Sequence, residues 1–452
     1  MSTVQASPAA DPDAARLRRQ RRGWYFYGWA SHTFPTTVIA VFMGRYLEAV
    51  AGRAAGGLDG RVHLFGIPVR PGSLFVYVVS GTTVLLVGLM PMVGAVADRT
   101  GRKREIMLGL GYTGAVACML MWFVRGENWQ LGAALFAVAF TAYSCATVVF
   151  FSMLIDLSSA EDRDRISSFG WAFGYIGGGL LLAGNFVVSF LTDDRSLVAR
   201  ISLASAGLWW AVFSVVPLVA LRGRIGTAAP PRPTQGNVLL AGFRQLARTF
   251  RRLRGFPVTL FFLAAFLVYN DGIQTVATVA AQYAQSELKL SESTLLSAIL
   301  MVQFVAFGGA LFLGWLAQFH GAKRVVLGSL VVWTVLVVGA YFLQIGNVPQ
   351  FYLYAALVAL VLGGSQALSR SMFSHLVPRG EEAEYFGLYE VSDSGTSWLG
   401  PLLFGIALQN TGSYRVALVS LVVFFVLGFA MLLGVPVRRG IQAVGNPVPA
   451  RI

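Results

Sequence analysis

Gly94-Ala-Val-Ala-Asp98-Arg99-Thr-Gly101-Arg102-Lys103-Arg104 joins two long apolar runs, 73–97 and 106–124. Each run approaches the ~20 residues that a helix needs to cross a bilayer. Glycines before and within the charged cluster permit a tight turn, so two helices meet through a short loop. The cations of such a loop hold it on the cytoplasmic face. The stretch therefore reads as a basic turn between two membrane spans.

The rest of the chain has the same character. Of its 452 residues, 56% are hydrophobic and 12% are charged, whereas a soluble domain carries about 25% charge. Working outward from the turn, hydropathy predicts twelve spans: 26–50, 73–97, 106–124, 131–156, 167–191, 199–221, 257–281, 294–317, 325–345, 351–376, 385–408 and 415–436. The expected class is an all-α polytopic membrane protein whose first partner is the lipid bilayer. A net charge of +14 is of the kind that attracts nucleic acid. Here the cations sit in loops and tails, as membrane orientation requires, and no nucleic-acid partner is expected. The N-terminal tail holds Arg16, Arg18, Arg19, Arg21 and Arg22. With that tail inside, most Lys and Arg fall in cytoplasmic segments, which places both termini in the cytoplasm. The first span is too long for a signal-peptide core, so it is expected to act as an uncleaved anchor. Compact loops point to a bacterial inner membrane, and a monomer is expected.

Catalytic signatures do not assemble. Cys118 and Cys145 both lie inside apolar runs, without disulfide or metal spacing. Gly109-Leu-Gly111-Tyr-Thr-Gly114 fits the dinucleotide fingerprint in form, yet it lies mid-helix with no strand before it. No phosphate loop, nucleophile elbow or H-E-x-x-H is present. Neither an enzyme nor a cofactor or metal is expected.

The opening motif returns later in the chain. Gly314-Trp-Leu-Ala-Gln318-Phe-His-Gly321-Ala-Lys323-Arg324 aligns Gly314 with Gly94, Gly321 with Gly101 and Lys323-Arg324 with Lys103-Arg104. Gln318 stands where the first copy has Asp98, so the echo is degenerate. The organisation read from this is a basic tail (1–25), six spans (26–221), a basic linker (222–256), six further spans (257–436) and a C-terminal tail (437–452). The linker contains Pro230-Pro231-Arg232-Pro233 and then Arg244, Arg248, Arg251, Arg252 and Arg254. Its second half is either an amphipathic helix on the anionic leaflet or a plain connection.

The opening stretch resembles the loop 2–3 signature of the major facilitator superfamily, with Gly94, Asp98, Arg99, Gly101, Arg102, Lys103 and Arg104 at the marked positions. That resemblance implies twelve transmembrane helices in two six-helix halves that rock about a central site. It also places Asp98 and Arg99 in a charge latch on the cytoplasmic side. Three more stretches are similar to the vacuole-effluxer branch: Gly23-Trp24 through Phe34, Ser168-Phe169-Gly170-Trp171 through Gly179, and Gln366-Ala-Leu-Ser369-Arg370-Ser371 with Glu384 through Glu390 and Gly395 through Pro401. Fungal members are implicated in exporting amino acids from the vacuole, which makes amino acids the solute that the resemblance implies. Gly28 departs from the branch's aspartate, and Ser31-His32 from its Asn-Ser.

Polar residues inside spans are the pointers to function, because each charge costs about 2.5–3.5 kcal/mol at a helix centre. Asn270 and Asp271 interrupt the seventh span, and Asp271, Gln274, Thr278 and Gln282 share one helical face. They are expected to line a cavity, the alternative being an interhelical hydrogen-bond network. Glu390, Asp393 and Ser397 share a face of span 11, while Gln366 and Arg370 lie on span 10. Arg370 is expected to pair with Glu390 or Asp393 and to couple protons or gate; snorkelling of Arg370 to the interface is the open alternative. His32 is a further cavity candidate that titrates near neutral pH when solvated. Arg45 is expected to pair with Glu48, and Asp156 to be a solvated loop charge. The repeat Gly170, Gly174, Gly178 suits close helix packing, and Gly400-Pro401 a kink. The function expected is a proton-driven secondary transporter of a small polar solute. Efflux of amphipathic compounds and a non-transporting receptor or scaffold are the alternatives.

Overall fold

The computed structural model describes residues 12–223, 254–394 and 399–452. Nearly all of the basic linker, with Pro230 to Pro233 and Arg244 to Arg252, lies outside the described residues, as does Ser397. Among the described residues, ten helices are long and apolar enough to cross a membrane. They are span 2 (Pro71–Thr100), span 3 (Lys103–Phe123), span 4 (Trp129–Leu157), span 5 (Arg163–Leu191), span 6 (Arg195–Ala220), span 7 (Pro257–Ser286), span 8 (Glu292–His320), span 9 (Ala322–Phe342), span 10 (Val348–His375) and span 12 (Tyr414–Gly434). All ten match runs expected from hydropathy.

Span 1 is interrupted, and span 11 is described in two segments. Span 1 runs as a helix (Pro12–Ser31), a π-helical stretch (Phe34–Phe42) and a second helix (Met43–Ala54). Pro35 has no N–H to give the helical ladder, so the regular pattern fails around it. Span 11 consists of Glu382–Ser394 and Leu399–Thr411, with Gly400-Pro401 opening its second helix. Twelve spans in two six-helix halves result. Spans 1 and 2 are joined by a β-hairpin of Val62–Leu64 and Ile67–Val69, and a helix, Val437–Ala443, follows span 12.

Small residues set the packing within the first half. A Cβ on Gly177 would stand 2.4 Å from the Trp29 carbonyl oxygen, and one on Gly178 2.6 Å from Thr36 Oγ1. The glycine face of span 5 thus lets span 1 lie directly against it.

The halves meet through spans 2 and 4 against span 11, and through span 5 against spans 8 and 10. Contact is tightest at the end carrying the loop 2–3 motif, here termed the basic end. There Gly94 meets Ala383 and Gly314 meets Ser168, both so closely that a Cβ would approach within 2.1 Å and 2.3 Å. The echo in the sequence is therefore an echo in space, each copy docking its glycine on the opposite half. At the far end a cavity of about 650 Å³ is lined from spans 1, 5 and 6 of one half and span 8 of the other. Arg45 forms an ion pair with Glu292 there. It reaches across the halves instead of along its own helix, which corrects the expected pairing with Glu48.

Candidate solute site and gate

Near the middle of the bundle the polar residues of three C-terminal spans form one chain. Gln366 Nε2 of span 10 donates to Asn270 Oδ1 of span 7 at 2.5 Å. Asn270 Nδ2 in turn donates to Asp393 Oδ1 of span 11 at 2.6 Å. Asn270 is fully buried, and Asp393 is partly exposed. Across from them, Tyr143 of span 4 is partly exposed and lies within electrostatic reach of both Glu390 and Asp393. His32, also partly exposed, packs edge-on to Trp171 and Tyr175. Partial exposure of mid-span polar groups on inward faces of both halves describes a polar region between them.

Asp271 does not join this chain. Its carboxylate accepts from Gly400 N, in the second described segment of span 11, at 2.5 Å. A buried carboxylate needs donors, and the Gly400 N–H supplies one. Beyond it the stripe opens outward: Gln274 is half-buried, while Thr278 and Gln282 are exposed. Gln282 reaches Tyr414. The expectation of one continuous cavity face thus gives way to an anchor at Asp271 and a polar, increasingly exposed edge above it.

Arg370 is completely buried, and its partners differ from the ones expected. No ion pair joins it to Glu390 or Asp393. Its Nε donates to Ser167 Oγ at 3.0 Å, and its Nη2 to the Ser167 carbonyl at 2.7 Å. The guanidinium lies 4.5–6.0 Å from the ring centroids of Trp24, Phe150, Phe151 and Trp171. Planar, weakly hydrated guanidinium suits such a cage, where aromatic faces offer negative charge. Snorkelling is excluded by this burial. All of these partners belong to the N-terminal half, whereas Arg370 belongs to the C-terminal half.

Nearer the basic end a second buried cluster closes the interface. Lys103 Nζ sits 3.0 Å from Asp156, 3.3 Å from Glu382 and 3.5 Å from Asp98. Asp98 also accepts from the backbone N–H groups of Ala383 and Glu384, at 3.1 and 2.9 Å. A carboxylate at that position caps the first helix of span 11 and meets the positive end of its dipole. Asp156 is buried, not solvated, because Lys103 arrives from the neighbouring helix to balance it. Two further links cross nearby: Ser371 Oγ donates to Asp164 at 2.5 Å, and Arg163 Nη1 to the Ser374 carbonyl at 3.3 Å.

A model of the family described as "Vacuole effluxer Atg22 like" matches residues 16–161 and 155–445. The chain belongs to that family. It is 28% identical to the "Uncharacterized MFS-type transporter YxiO" of Bacillus subtilis, over 93% of this chain and 96% of that protein. It is 26% identical to autophagy-related protein 22 of Yarrowia lipolytica, over 84% of this chain and 78% of the relative. Among solved structures, the human organic anion transporter MFSD10 superposes with a TM-score of 0.64 at 15% identity, covering 93% of this chain and all of that one. The Escherichia coli fucose:proton symporter FucP gives 0.61 at 12% identity, covering 94% and 99%. These likenesses establish a major facilitator transporter fold; at such identities the structures speak to fold alone.

Within the family frame, several functional candidates were invisible in the sequence. Phe150, Phe151 and Ser167 lie in expected spans without a polar signature, Trp24 entered only through the family-like opening stretch, and Glu382 was not singled out. Gly28, where the branch's aspartate is missing, sits against the Gly170 carbonyl oxygen, which an added Cβ would approach to 3.0 Å. The position serves helix contact in this chain.

Proposed function

We propose that this protein is a secondary transporter that moves a small polar organic solute by alternating access, driven by a proton gradient. The observation that carries the reading is the Gln366–Asn270–Asp393 chain, which brings amide and carboxylate groups of three spans to the bundle centre. Such groups suit a solute with several hydrogen-bond donors. Amino acids are the first class to test, since an ammonium group would meet the Asp393 carboxylate while aromatic residues receive a side chain. Closure at the basic end with a cavity at the far end fits one of two alternating states. In this reading the basic end faces the cytoplasm, on the strength of its Lys and Arg content. The halves rock as units 26–221 and 257–436.

Efflux of amphipathic compounds is the second reading. The far-end cavity favours it, since Phe42, Leu182, Phe186 and Leu300 share that wall with Arg45 and Arg195. Counterflow of labelled solutes in proteoliposomes separates the two. Exchange of amino acids that is lost in Asn270→Ala, with competition by amphipathic cations and anions absent, supports the first reading. Exchange insensitive to Asn270→Ala, or driven by amphipathic compounds, rejects it.

A further inference from the structure

We propose that the groove between the basic ends of spans 9 and 12 binds an anionic phospholipid, its headgroup held by Arg324 and Arg439 and an acyl chain lying along span 9. The site is independent of the solute reading. It takes from that reading only the leaflet, which is the inner one when the basic end faces the cytoplasm.

The second copy of the loop motif carries the argument. In the first copy Lys103 is answered by three carboxylates, and Arg104 by Glu105 and the Leu218 carbonyl. In the second copy Gln318 replaces the acid, and neither Lys323 nor Arg324 forms an ion pair among the described residues. The helix after span 12, Val437–Ala443, adds to this excess of cations. Its Val437, Gly440 and Ile441 are buried on one face. Gly440 lies so close to Val258 and Leu376 that a Cβ would stand 2.6 and 2.7 Å from them. The helix is thereby fixed with Arg438 and Arg439 exposed. Arg438 Nη2 donates to the Ala450 carbonyl at 3.4 Å. Arg324 and Arg439 make no hydrogen bond or ion pair among the described residues.

These four cations surround a cavity of about 670 Å³, walled by Leu327 and Leu433 and without an Asp or Glu side chain in its lining. Lys323 Nζ donates to the Leu433 and Val435 carbonyls at 3.0 and 2.8 Å, which ties the start of span 9 to the end of span 12. An anion from outside relieves the mutual repulsion of such a cluster. Charge alone would serve a soluble anion equally well, but the surface below the cations favours a lipid. Leu327, Gly328 and Val331 follow Arg324 at +3, +4 and +7, on one helical face that runs into the bilayer. A Cβ on Gly328 would meet nothing within 4 Å, and Val331 and Leu433 are exposed. Basic pockets between spans on the cytoplasmic side hold phospholipid headgroups.

The test uses the whole chain in detergent, stripped of lipid, with bound lipid counted by native mass spectrometry. Phosphatidylglycerol and phosphatidylcholine of matched acyl chains are titrated in parallel, and the parent should prefer phosphatidylglycerol. Arg324→Gln with Arg439→Gln removes no contact within the described protein. It should weaken phosphatidylglycerol binding about 30-fold, since each cation near an anionic headgroup contributes roughly fivefold. Arg61→Gln with Arg70→Gln, an equal charge loss at exposed far-end positions, should bind as the parent does. Gly328→Trp should weaken binding with no change of charge. Equal affinity for the two lipids, an unaffected Arg324→Gln with Arg439→Gln protein, or the same loss in the far-end variant would overturn the site. Displacement of the lipid by inorganic phosphate at equal concentration would overturn a lipid as its occupant, as would a Gly328→Trp protein that binds like the parent. Solute exchange is not read in any of these titrations, so their failure is distinct from failure of the transport reading.

Discussion

Lys103 is one ammonium among three buried carboxylates, and that imbalance makes the basic-end cluster sensitive to single substitutions. Removing one partner of a buried ionic group strands the others and costs about 3–5 kcal/mol. Lys103→Met is therefore expected to lower stability by that order, read as earlier thermal unfolding in detergent. Asp98→Ala removes the acceptor of two backbone N–H groups and with it a helix cap, at an expected cost of about 0.5–2 kcal/mol. Unchanged melting of either variant would mean that the cluster does not hold the interface. At this scale the sequence was legible in part. The family resemblance placed Asp98 in a latch with Arg99, whereas in the structure the cation beside Asp98 is Lys103, another residue of the same loop motif. Asp156 was misjudged, because burial of a charge at a helix end depends on a partner from another helix. For Arg370 the sequence told the span but not the neighbour: helical spacing fixes a face, and tertiary packing decides what that face meets.

Long apolar helices account for most elements, and the reason is physical: a span needs ~20 consecutive apolar residues, which leaves a strong signal. The interruptions were harder. Pro35 breaks span 1 where hydropathy runs unbroken, and the hairpin after span 1 has strands of three residues each. Asp271 illustrates a polar residue that ties one element to another. Asp271→Ala should leave Gly400 N without its acceptor, at a cost of about 1–3 kcal/mol, while Asp271→Asn keeps an acceptor and most of the stability. Equal melting of the two variants would reject that role. Gly177→Ala forces a Cβ onto the Trp29 carbonyl and should lose roughly 1–3 kcal/mol through separation of spans 1 and 5. The degenerate second motif has a different support. Arg451 donates to the Gln318 carbonyl, and Ala450 N to Glu161 of the loop before span 5. The tail thereby touches both halves beside the position where Gln318 stands in place of an acid.

For the whole molecule, the family frame and the packing agree on two halves that close at the basic end around glycines 94 and 314. Gly94→Val would set a side chain into the Ala383 backbone and should keep that end from closing, with loss of transport and little loss of span formation. The central claim is that a polar solute and a proton move together through the site between the halves. Its most direct measurement is the internal pH of proteoliposomes carrying a trapped pH dye and challenged with a panel of amino acids, for the parent, Asp393→Asn and Glu390→Gln. The account predicts a solute-dependent pH change in the parent that both variants lose. A panel-wide absence of pH change in folded protein that nonetheless exchanges labelled solute, or an undiminished change in both variants, would contradict it.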